Sequence, residues 1–80
     1  MKEIKLAQTL VKDALCFYEQ GKTTKPSILL DKETHKNYNF DILKEELNKM
    51  GFDIMDYKDA PEIKNVEHSF INRKWLVYQK

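Results

Sequence analysis

Asn39-Phe-Asp-Ile-Leu-Lys-Glu-Glu-Leu-Asn-Lys-Met-Gly51-Phe-Asp-Ile-Met-Asp-Tyr57 reads as a capped amphipathic helix that stops at a glycine and passes straight into a strand. Asn39 is a good N-cap, because its side chain can accept from a free N–H of the first turn. Asp41 puts a negative charge where the helix dipole is positive. Gly51 can take the left-handed conformation that ends a helix without a Cβ clash. Phe40, Leu43, Leu47 and Met50 recur on one face of residues 40–50, and Lys44, Glu45, Asn48 and Lys49 occupy the other. One face should pack and the other should be wet.

Downstream, Phe52 to Lys58 reads as a strand and Asp59-Ala-Pro-Glu62 as a turn, while His68 to Tyr78 reads as a long final strand rich in aromatic and β-branched residues. The two strands are expected to pair as a hairpin. Their connection, about 59 to 67, exceeds a tight hairpin loop, as in a functional excursion or a flap. Upstream, residues 2 to about 20 read as a helix closed by Gly21. Ile4, Ala7, Val11, Ala14, Leu15 and Tyr18 form one stripe, and Leu6, Leu10 and Phe17 form a second beside it. Cys16 falls in this sector and is expected to be buried. An apolar face this wide fits either the most buried helix of the domain or a contact through the first helix with a second copy of the chain or another protein.

Gly21 to Pro26 is a turn-rich connector, Ser27-Ile-Leu-Leu30 a short strand, and Asp31 to Tyr38 a loop or a single helical turn. The expected fold is therefore one α+β domain over residues 1–80, with two helices packed on a small, mostly antiparallel sheet in the order α-β-α-β-β.

Composition then limits the chemistry. Eighty residues hold one core, and 41 % hydrophobic with 11 % aromatic content is that of a chain that folds. Fourteen basic against thirteen acidic residues leave a net charge of +1, too small to draw the whole molecule onto nucleic acid or an anionic membrane. A single cysteine cannot form an intramolecular disulfide and fits a reducing cytoplasm. No apolar run approaches the roughly twenty residues that span a bilayer, and no export signal opens the chain, so no membrane role is expected. Lysine greatly outnumbers arginine, a usage typical of AT-rich bacterial or bacteriophage genomes.

Catalytic and metal chemistry find little support. Cys16, His35 and His68 are the soft ligands, and they lie in three distant segments without a partner at metal-binding spacing. A Cys16 nucleophile on an apolar helix face would be inert, and two glycines give little to build an oxyanion hole. Gly21-Lys22-Thr23 lacks the first glycine and preceding strand of a phosphate loop. No cofactor and no enzymatic activity are expected.

Charge patterning leaves two binding surfaces. Asp56, Asp59 and Glu62 belong to a run from Asp53 balanced only by Lys58, which predicts an acidic edge able to dock a basic partner. Lys22, Lys25 and Lys36, with Arg73 and Lys74 beside Trp75, are the basic candidates. A helix followed by a two-stranded hairpin has the outline of a winged helix, in which residues 40–50 would enter the major groove and 59–67 would be the wing. The charges oppose that placement. Glu45 and Glu46 would face phosphates, the wing carries Asp59, Glu62 and Glu67 against Lys64, and Arg73 is the sole arginine. The expected function is thus a small non-enzymatic regulator or inhibitor that masks a protein partner, of a kind that phages and mobile elements encode. A winged-helix-like nucleic-acid-binding protein is the alternative. Lysines gathered on one face would favour the alternative, and dispersed lysines beside an apolar or acidic patch would favour a protein partner.

Overall fold

A computed structural model describes residues 1–61 and 67–80. It is an α+β domain, as the sequence predicts: α1 (Lys2–Glu19), β1 (Ser27–Asp31), α2 (Phe40–Lys49), β2 (Phe52–Asp56), a 3₁₀ turn (Tyr57–Asp59), α3 (His68–Ile71) and β3 (Lys74–Gln79). The strands form one antiparallel sheet in the order β1-β3-β2, so the strand latest in sequence is central. Ile28 and Ile54 both stand opposite Val77, and Leu29 and Met55 both stand opposite Leu76.

The α2–β2 junction is built as its sequence implies. The Asn39 side chain accepts from the Ile42 N–H at 3.1 Å, and Gly51 sits at φ +80°. Leu43 and Leu47 are fully buried, and Phe52 and Ile54 continue the same core across the turn. Side chains alternate along a strand, so Leu30, Ile54 and Val77 face the helices and their neighbours face away. On α1, Ala7, Leu10 and Ala14 line the buried stripe, and two alanines let the helix approach both α2 and β1 closely.

Several expectations change. Cys16 is exposed rather than buried, because two residues beyond Ala14 the helix has turned about 200° and the thiol points outward. Leu15 and Tyr18 are exposed, as is Met50 on α2, while Leu6 and Phe17 are only half-buried. Residues 68–71 are helix, not strand: β1 ends at Asp31 opposite Lys74 and β2 at Asp56 opposite Trp75, leaving earlier residues without ladder partners. Instead Ile71 is buried and Arg73 Nε donates to the Ser69 carbonyl at 3.0 Å. Likewise β2 stops at Asp56, whose side chain accepts from the Lys58 N–H and turns the chain. Most of the expected 59–67 connection, with Glu62 and Lys64, lies outside the described residues.

Candidate partner-binding surface

Both long helices pack on one face of the sheet, and the opposite face keeps apolar side chains. Leu29, Leu76 and Met55 form a row straight across the three strands, set by register, and Leu29 is 36 % exposed. The next row is Ser27, Tyr78 and Asp53. Over these rows lies a groove of about 580 Å³. Its floor is Met55, Leu76 and Tyr78. Thr23, Thr24 and Lys25 from the connector before β1 form one wall, and Tyr57, Ala60 and Pro61 form the other. The 3₁₀ turn places Tyr57 there, where its ring meets Phe70 edge-on at 6.4 Å between centroids.

Two features set the electrostatics. Among the described residues lining the groove, Lys25 is the only charged side chain. Thr23 Oγ1 is shielded from solvent and has no hydrogen-bond partner among the described residues, which makes it an unused polar group in the wall. Behind Tyr78, Asp53 is engaged: Lys44 Nζ donates to it at 2.5 Å, its own strand's Ile54 N–H at 2.8 Å and Asn48 Nδ2 at 3.3 Å. Burial pushes the Asp53 carboxyl up, and these donors outweigh that and hold it below the usual carboxylate range. Tyr78 is raised, first by burial and then by the Asp53 charge beside it.

Of the acidic edge expected from Asp53 onward, Asp53 and Asp56 are paired with lysines from elsewhere in the sequence. Lys32 Nζ donates to Asp56 at 2.6 Å, bridging the ends of the two outer strands, and both side chains are about a quarter exposed. Burial raises the Asp56 carboxyl, and Lys32 with the Lys58 N–H more than reverses it. Asp59 stays exposed on the 3₁₀ turn.

The basic candidates fall at two ends of the sheet, with Lys36, in the turn that follows Asp31, at the same end as Arg73 and Lys74. Lys22 and Lys25 precede Ser27, at the Tyr78 end of the sheet, whereas Arg73 and Lys74 lie at the Asp31 end. Four strand steps, roughly 13 Å, separate these ends. Lys22 sits over the Phe17 ring, Lys74 over Phe70, and Lys36 pairs with Glu33 at 2.9 Å. Cys16, His35 and His68 lie on α1, on the turn after β1 and on α3, and among the described residues no group of three or more metal-capable ligands forms. No helix among the described residues is long and apolar enough to cross a membrane.

The sequence reading selected Lys25 and missed the groove around it. Its signal was present in the alternation of Leu29, Met55, Leu76 and Tyr78 with core positions, which marks a second apolar sheet face. Compared with protein-family models, curated proteins and solved structures, the chain finds no match. The geometry of this face therefore carries the functional reading.

Proposed function

We propose that this protein is a small non-enzymatic binding domain that regulates or inhibits a protein partner by covering part of its surface. The observation that supports it is the apolar row Leu29, Leu76 and Met55 on the sheet face away from both long helices. An apolar patch of this kind, rimmed by polar side chains, is what protein–protein contacts bury. The division of the basic residues between two ends of the sheet, with Lys36 paired to Glu33, supports the same reading over nucleic acid. A reducing cytoplasm and a phage or mobile-element origin fit the composition and belong to this proposal.

The test compares affinity capture from the native host by the natural chain and by Leu29→Arg. A partner held by the first and released by the second, whose own activity falls as the natural chain is added, is the expected result. Equal capture by both chains would remove this face from the interaction. Sequence-selective, submicromolar binding to duplex DNA at physiological salt would overturn the reading in favour of the winged-helix alternative.

A further inference from the structure

We infer that the groove receives an apolar peptide segment of the partner that carries a carboxylate, with the carboxylate meeting Lys25. This inference rests on the protein-partner reading above and specifies its chemistry. Met55 and Leu76 give the floor soft apolar surface, and a thioether adapts to side chains of different shapes. Tyr78 on the floor and Tyr57 on one wall add aromatic surface. The groove's volume falls within the roughly 300 to 1,000 Å³ of sites that enclose one compact group, so it suits a few side chains rather than a whole helix.

Charge decides the rest. Lys25 is the sole charged residue on the described lining, and among the described residues no carboxylate pairs with it. The nearby carboxylate, Asp53, is committed to Lys44 on the far side of Tyr78 and so neither neutralises Lys25 nor offers a site to a basic ligand. A ligand anion would pair with Lys25, the one charged side chain among the described lining residues, and charge-assisted contacts of this kind fix orientation and partner choice. Thr23, Thr24 and Ser27 line the groove beside Lys25.

The experiment pans a phage-displayed random dodecapeptide library against the folded natural chain, Lys25→Glu and Leu76→Gln, with circular dichroism confirming that each variant retains its fold. One enriched peptide is synthesised and mapped by amide chemical-shift changes on the labelled natural chain. Peptides pairing an Asp or Glu with aliphatic or aromatic residues should be enriched and should shift amides of residues 23–27, 55–57 and 76–78. Lys25→Glu should weaken that peptide at least tenfold and select Lys or Arg in place of the acid. Leu76→Gln should weaken both classes. Peptides without an acidic preference, shifts confined to α1, or no enriched peptide would each overturn the inference while leaving a protein partner at this face untouched. A dimer seen by sedimentation and broken by Leu76→Gln would overturn it too, by assigning the groove to a second copy of the chain.

Discussion

Asp53 shows how one side chain ties the helical layer to the open sheet face. Its carboxylate accepts hydrogen bonds from a lysine and an amide on α2 and from its own strand, and the Tyr78 hydroxyl reaches it from β3 at 3.4 Å. Asp53→Asn should lower the Tyr78 pKa part of the way back toward the ordinary tyrosine value, because the charge is lost while burial remains; ultraviolet titration of the phenolate measures it. Glu3 plays the corresponding role at the other end of α2. It is 5 % exposed and accepts the Asn39 N–H at 3.0 Å, so a residue near the start of α1 completes the cap of a helix far along the chain. That hydrogen bond is the main reason its carboxyl lies below the usual range. Glu3→Ala leaves the Asn39 N–H without its partner, and thermal unfolding should show a lower Tm than for Glu3→Asp. Cys16, being exposed, should react with a thiol reagent in the native state at a rate near that of the unfolded chain. Glu3 is inconspicuous in the sequence and Asp53 reads only as the start of an acidic run, since each role depends on a partner that only folding brings near.

Among the elements, α2 and its exit were the most legible in sequence. Asn39, Asp41 and Gly51 act through local geometry, which is encoded within a few residues and survives any tertiary arrangement. Asn39→Ala should cost about 1 kcal/mol in urea unfolding. Gly51→Ala should cost a similar amount, roughly 1 to 2 kcal/mol, from the left-handed backbone alone. A Cβ there meets nothing within 4 Å, so Gly51→Asn should recover part of the loss. The start of β3 was illegible for the opposite reason. Ser69, Phe70 and Ile71 suit a strand by composition, but a strand extends only as far as its neighbours do, and those neighbours stop at Asp31 and Asp56. For α1 the apolar content was read correctly and its division was not. Ala7 and Ala14 are too small to dominate a hydrophobic pattern, yet they mark its centre, and Leu15 and Tyr18 fall outside it. The groove was missed because it joins a connector, a sheet face and a 3₁₀ turn from three separate stretches.

At the scale of the molecule, three carboxylates with depressed pKa values, Glu3, Asp53 and Asp56, tie stability to pH. A carboxyl whose native pKa lies below its unfolded value stabilises the fold fully above the unfolded value, near about 4, and loses that contribution as pH falls through the native one. Urea midpoints should therefore be level from neutral pH to about 5 and drop below about 4, with a shallower drop in Asp53→Asn. The sheet order carries a consequence for how the molecule comes into being. Because β3 is central and last in sequence, neither outer strand has anything to bond to while residues before Lys74 are being synthesised. At about 5 to 20 residues per second the ribosome holds the chain in that sheetless condition for several seconds. Ser27 must then find Tyr78 across nearly the whole chain, a closure that slows folding relative to a helical bundle of this size. A chain truncated before Lys74 should consequently be cut by protease within β1 and β2, and restoring residues 74–80 should bring protection to both strands in one step.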